Sequence, residues 1–350
     1  MKKITIDGNG ICSRMAYLFT EVSGIYPITP SSTMAENVDK MSSNKEKNIF
    51  GDTVKVVEMQ SEAGAAGLIH GALEAGTLAT TFTASQGLLL MIPNMYKMSG
   101  EMLPAVFHVA ARSLSTHALS IMGDHQDIYA VRSTGFAIIA SSNVQDIAYL
   151  TPISHLSAIS SSIPVLHFFD GFRTSHEISK IDMLETNELL DLVPYDKIEN
   201  FRNRALNPKH PNVRGTNQND DIYFQITESR NNDYESLINI VEDYMNKINE
   251  KANTNYKPFN YYGSKTAKKV IVAMGSVNDT IKEVIDNLNG DLGLIEVHLY
   301  RPFSKKHLLN VLPDTVEKIA VLDRTKEPCS REPLYLDVVD ALKEKNITIV

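Results

Sequence analysis

The apolar positions of the chain alternate between short β-branched or aromatic runs and longer runs of helical spacing. A helix is expected over Cys12 to Glu21, followed by a short strand at Gly24 to Tyr26. The run Thr53 to Val57 reads as a strand that feeds a small-residue helix, Gln60 to Ala75. Thr77 to Thr83 is a further strand, and Ala84-Ser85-Gln86-Gly87 turns into a helix carrying Met91, Met95 and Met98 on one side. Strands follow at Ala105 to Ala111, ending at Arg112, and at Phe136 to Ser141. A helix over Val144 to about Ser160 then leads to a strand at Pro164 to Phe169, ending at Asp170-Gly171. Short apolar strands alternating with helices predict an α/β domain built on a parallel sheet.

Beyond residue 190 the pattern changes. The stretch 190–262 is rich in Asn, Asp, Lys and Tyr, with one amphipathic helix at about Tyr234 to Glu250. The segment 251–265 is polar and unperiodic, with Pro258, and reads as a linker. A second α/β unit follows, with strands expected at Lys269–Met274, Leu292–Leu299, Lys318–Leu322 and Ile347–Val350. Helices are expected between them at Val277–Asn287, Lys305–Leu312 and Leu334–Lys343. The final strand ends the sequence, so this second unit is expected to be incomplete.

Composition narrows the function classes. Apolar residues are 43% and charged residues 22% of 350, as in a globular protein. A net charge of −8 with scattered basic residues argues against a nucleic-acid partner. Two cysteines, Cys12 and Cys329, form no CxxC pair, so no iron–sulfur or structural zinc site is expected in the chain itself. They fit a reducing, cytoplasmic setting. No apolar run is long enough to span a membrane, and no secretory leader is legible.

Thr29, Glu62, Ser85, Arg112 and Asp170 all fall at or just past expected strand ends. Open α/β sheets bind ligands outside the carboxyl ends of their strands, so these five are expected to converge on one crevice. Glu58 and Glu62 share a helical face if the helix begins that early. Glu62 is then either a buried carboxylate kept for use or a residue favouring the positive helix end. Pro27 and Pro30 hold Ile28-Thr29 extended and expose a hydroxyl, and Ser31, Ser32 or Thr33 can cap the next helix. His108 and His167 lie within strands and read as hydrogen-bonded core histidines, and His70 is read with the same caution. Gly123-Asp124-His125-Gln126-Asp127 reads as a solvated loop with a helix-capping Asp rather than a set of metal ligands. Asp7-Gly8-Asn9-Gly10 reads as an N-terminal turn, since no phosphate-loop or dinucleotide fingerprint is present.

Several long segments resemble the N-terminal part of the single-chain pyruvate:ferredoxin (flavodoxin) oxidoreductases. They are Tyr26-Pro-Ile-Thr-Pro-Ser-Ser-Thr33, Glu58-Met-Gln-Ser-Glu-Ala-Gly-Ala-Ala-Gly67 and Thr81 to Lys97. Ala118 to Tyr129, His167 to Glu177, Leu299-Tyr-Arg-Pro-Phe303 and Leu322 to Pro328 continue the match. The resemblance implies a thiamine-diphosphate pyrimidine-binding domain over residues 1–250 and a transketolase C-terminal-like α/β domain over 266–350. It also implies that Glu62 bonds the cofactor's pyrimidine ring and that Thr29 and Arg112 hold pyruvate. The implied reaction makes acetyl-CoA from pyruvate and coenzyme A, with electrons leaving through iron–sulfur clusters to ferredoxin or flavodoxin.

The departures from that family are as informative. No Gly-Asp-Gly segment for magnesium and diphosphate matches, and no cluster cysteines are present. Magnesium and iron–sulfur clusters are therefore expected only in regions outside this chain. The chain is expected to be inactive alone and to need companion domains or a homo-oligomer. Pro328-Cys329-Ser330-Arg331-Glu332 places bulk where a glycine-rich turn is expected. Two other readings stay open: a non-catalytic interaction module, and the α subunit of another 2-oxoacid oxidoreductase.

Overall fold

The computed structural model describes residues 1–288 and 291–350. Among the described residues the strands are β1 Lys2–Asp7, β2 Val22–Ile25, β3 Lys55–Glu58, β4 Ala79–Thr83 and β5 Val106–Ala111. They continue as β6 Ala137–Ala140, β7 Val165–Asp170, β8 Ile178–Met183, β9 Phe259–Gly263 and β10 Lys269–Ala273. The last are β11 Leu292–Val297, β12 Leu299–Arg301, β13 Lys318–Leu322 and β14 Thr348–Ile349.

A seven-stranded sheet with the order β12-β6-β7-β5-β4-β2-β3 forms the first unit. Its strands β2 to β7 are mutually parallel and β12 joins β6 antiparallel. The helix Val144–Ser161, buried almost throughout, lies against this sheet and packs on helices Gly8–Leu18 and Asn231–Ala252. The second unit is a five-stranded sheet, β14-β13-β10-β11-β9. One apolar core runs through both units and includes Phe107, Leu156, Phe168, Val270, Leu299 and Leu334. The expected α/β class and parallel first sheet are thus observed. No described helix is long and apolar enough to cross a membrane.

Four local differences have physical causes. Residues 2–7 form β1, an antiparallel ribbon with β8, a pairing across more than 170 residues that local pattern does not reveal. Asp7 caps the first helix by accepting from Gly10 N at 2.6 Å, so Asp7-Gly8-Asn9-Gly10 opens that helix and is not a free turn. The expected linker 251–265 contains β9, an antiparallel edge on β11 anchored by the buried Phe259. The single strand expected at Leu292–Leu299 is two: β11 stays in the second sheet, and the chain turns at His298 to place β12 in the first. There His298 N donates to Pro258 O at 3.0 Å, while its Nδ1 lies 3.1 Å from Ala140 O.

Candidate functional site

The carboxyl edge of the first sheet brings β2, β3, β4 and β5 together. Beyond β2 the chain turns at Pro27–Thr33, where Ser31 Oγ bonds back to Ile28 O at 2.7 Å. This hydroxyl closes the turn and makes no cap bond to the helix Ser32–Ser43. Asn9 Nδ2 donates to Pro30 O at 2.8 Å. Gly171 presses on the same turn: a Cβ there would lie 2.6 Å from Pro30 Cγ. Thr29 is exposed, and its carbonyl accepts from Arg112 Nη1 at 2.6 Å.

Beyond β3, Ser61 caps the next helix, accepting from Gly64 N at 3.1 Å. The helix therefore begins at Glu62, not at Gln60. Glu58 remains on its strand, exposed, so the helical pairing of Glu58 with Glu62 does not form. Glu62 is 7% exposed at the first helical position. The expected close approach to this helix is made by Gly24 of β2, whose Cβ would lie 3.1 Å from Ala65 O, while Gly67 and Gly71 face open space. A Cβ on Gly87 would lie 2.8 Å from Glu62 Oε1 and 2.8 Å from Thr83 Oγ1, so only glycine fits beside that carboxylate.

Arg112 ends β5 and is 7% exposed. Its Nη2 donates to Gln86 Oε1 at 3.1 Å, while its Nε is buried with no partner, as is Thr83 Oγ1. Burial pushes the guanidinium below its usual range, against the pull of the Asp127 and Glu62 charges. Thr29, Glu62, Ser85 and Arg112 thus line one edge.

Asp127 was not legible as part of this edge. It is fully buried in the helix Gln126–Val131, contrary to the solvated loop expected there. Its Oδ2 accepts from Ser85 N at 2.7 Å and Arg112 N at 3.0 Å, and its Oδ1 from Ile128 N at 2.8 Å. Burial pushes its carboxyl up to about 7 against those donors. The available signal was the short apolar run Ile128 to Val131 just after it, which marks a helix start.

Asp170 departs from the expected crevice. Its fully buried carboxylate turns to the second unit and meets His125 Nε2 at 2.6 Å, Arg324 Nη1 at 2.6 Å and Ser276 N at 2.8 Å. Burial would raise its pKa, but His125 and Arg324 hold it well below the usual carboxylate range. The nearby Tyr129 OH donates to Asp323 Oδ1 at 2.6 Å, and Asp323 accepts from Leu334 N and Tyr335 N. These contacts join the two units.

The core histidines are hydrogen-bonded as expected. His155 Nε2 lies 3.0 Å from His108 Nε2, His108 Nδ1 3.1 Å from His167 Nδ1, and His167 Nε2 2.7 Å from Ser141 Oγ. Burial pushes His155 and His167 down to about 3 and His108 also well below its usual value. Cys12 lies beside them as a neutral thiol, raised by burial. His70 instead pairs with Glu101 at 2.6 Å near the surface.

The family described as pyruvate flavodoxin/ferredoxin oxidoreductase, thiamine diphosphate-binding, matches residues 14–246. The pyruvate:ferredoxin oxidoreductase core domain II matches residues 267–350. The pyruvate-flavodoxin oxidoreductase of Enterobacter agglomerans is 57% identical over 344 residues, 97% of this chain and 29% of that protein. The pyruvate:ferredoxin oxidoreductase of Moorella thermoacetica is 55% identical, covering 100% of this chain and 30% of that protein. The chain therefore spans under a third of the length of these relatives. A solved 2-oxoglutarate:ferredoxin oxidoreductase from Magnetococcus marinus, with 2-oxoglutarate, coenzyme A and succinyl-CoA bound, shares the fold. It aligns at TM-score 0.71 and 15% identity, over 99% of this chain and 62% of its own. The chain belongs to the thiamine-diphosphate-binding pyruvate flavodoxin/ferredoxin oxidoreductase family.

Proposed function

We propose that this chain supplies the pyrimidine and substrate wall of a site that oxidatively decarboxylates pyruvate to acetyl-CoA. The observation that carries this reading is the buried, unpartnered Arg112 Nε at the strand edge that also holds the buried Glu62. Guanidinium has five N–H donors, and Arg112 uses one on Thr29 O and one on Gln86 Oε1. The remainder suit a planar carboxylate such as that of pyruvate. Thr29, exposed at the rim, offers its hydroxyl to the same substrate.

Thiamine diphosphate fits this edge from its pyrimidine side. The cradle at Gly87 leaves Glu62 reachable, and Thr83 Oγ1 is a second unpartnered polar atom there. When bound, the group would supply the electron sink for decarboxylation. Glu62 would hold a proton at the pyrimidine nitrogen, a task that suits a carboxylate shielded from water.

A companion domain or chain would supply magnesium, the diphosphate grip, coenzyme A binding and the iron–sulfur path to ferredoxin or flavodoxin. The two free cysteines fit a reducing cytoplasm. Mixed with pyruvate, coenzyme A, thiamine diphosphate and a viologen dye, the isolated chain is expected to reduce no dye. Adding the remaining portion of the Moorella relative is expected to start reduction, and Glu62→Gln to stop it. Dye reduction by the isolated chain, at a rate that Glu62→Gln abolishes, would overturn the half-site reading.

A further inference from the structure

We infer that Asp127 is the positioning residue that aims the Arg112 guanidinium, by holding the ends of β4 and β5 together past their last backbone pair. The inference rests on the reading of Arg112 as the substrate's carboxylate partner. The β4–β5 ladder runs to Thr83 opposite Val109. Beyond it the two chains separate, β5 continuing beside β7 to Ala111 opposite Asp170. One oxygen of Asp127 then closes the gap, accepting from Ser85 N at 2.7 Å and Arg112 N at 3.0 Å. The other oxygen accepts from Ile128 N at 2.8 Å, which fixes the carboxyl plane against its own helix.

Both strand ends matter to the edge. Ser85 sits at φ +52°, a left-handed conformation costly for a side-chain-bearing residue, and its Oγ donates to Ser113 O at 2.6 Å. That turn sets out the two residues that follow it. Gln86 Oε1 receives Arg112 Nη2, and Gly87 leaves room for Glu62. Without Asp127, two buried backbone N–H groups would lose their acceptor, and Ser85 would stay linked to the end of β5 only through its hydroxyl, which bonds Ser113 O and the Gln86 Oε1 that Arg112 Nη2 also meets. The guanidinium would then be steered only by Thr29 O and Gln86 Oε1.

The test uses the full chain labelled in 15N at arginine and serine, at pH 8. The Arg112 Nε–H resonance is assigned by its loss in Arg112→Lys, and the backbone amides of Ser85 and Arg112 are followed alongside it. Pyruvate is then titrated in. In the parent chain, Arg112 Nε–H is expected to be sharp and to move with pyruvate. In Asp127→Ala, the Ser85 and Arg112 amides and Arg112 Nε–H are expected to shift or broaden without ligand, and at least tenfold more pyruvate to be needed. Asp127→Asn, which keeps one acceptor oxygen, is expected to restore most of the response. Asp127→Ala with unchanged Arg112 signals and unchanged pyruvate response overturns the inference. Should Asp127→Ala fail to fold, Asp127→Asn is compared with Asp127→Leu by the same ligand-free signals, and indistinguishable Arg112 resonances in the two overturn it. If the parent chain shows no response to pyruvate, the substrate reading fails, and the ligand-free arm alone decides the role of Asp127.

Discussion

Lowering the pH from 7 to 5 is expected to destabilise this fold through its three core histidines. His108, His155 and His167 are neutral inside the protein, two of them with pKa values of about 3. Unfolded, each takes up a proton near pH 6.5. A depressed histidine pKa gives stability that is full above the unfolded value and is lost as pH falls below it. At pH 5 the loss is about 2 kcal/mol per histidine, about 6 kcal/mol for the three. That figure needs only that the folded values lie well below 5. Asp127 acts in the opposite direction. Its carboxyl is raised to about 7, so the folded state takes up a proton as pH falls through 7 while the unfolded chain does not. This returns about 2 kcal/mol at pH 5. The net loss of about 4 kcal/mol is a large share of a typical domain's 5–15 kcal/mol. The chain has no tryptophan, so urea unfolding is best followed by circular dichroism across pH 5–7.5. Near pH 5.5 the unfolding free energy is expected to fall by about 2.5 kcal/mol per pH unit, the uptake of about two protons. His155→Gln should reduce that to about one proton, and Asp127→Asn should raise it to about three. A slope that His155→Gln leaves unchanged would refute the account of these histidines.

Three further outcomes are expected. Gly87→Ala forces a methyl to within 2.8 Å of Glu62 and Thr83, so it should cost about 1–3 kcal/mol in urea unfolding and displace Glu62 in a crystal structure. Asp170→Ala removes the carboxylate shared by His125, Arg324 and Ser276 N, and is expected to cost about 3–5 kcal/mol and to separate the melting of the two units in calorimetry. Cys329 sits at φ +59°, and Cys329→Gly should be neutral to stabilising by up to about 1 kcal/mol, since relief of the left-handed strain is offset by glycine's greater freedom when unfolded. A marked loss of stability there would show that the side chain packs usefully.

The parts of the site that were legible are those that a parallel α/β pattern places by itself. Strands followed by helices put Thr29, Glu62, Ser85 and Arg112 at one edge, because every strand of such a sheet ends on the same side. The bulk expected at Pro328–Glu332 likewise surfaced as a positive φ at Cys329. What stayed hidden depends on partners distant in sequence. Asp127 looked like a capping residue because its acceptor role is set by N–H groups 15 and 42 residues away. Asp170 stands at a strand end as expected, but Arg324, 154 residues on, draws its carboxylate out of the crevice. The turn at His298 hands the chain from one sheet to the other, and the apolar run through it carries no mark of the change.

In the proposed function Glu62 handles the proton at the thiamine pyrimidine. The most direct test of this role is hydrogen–deuterium exchange at the thiazolium carbon of thiamine diphosphate, measured by NMR on the chain assembled with the remaining portion of the Moorella relative. The parent assembly is expected to exchange fast. Glu62→Gln is expected to slow exchange by about 10²-fold or more, the usual scale for loss of a positioned acid–base group. Arg112→Lys should leave the exchange rate unchanged and raise only the pyruvate requirement. Exchange in Glu62→Gln at the parent rate, with thiamine diphosphate bound, would contradict the account.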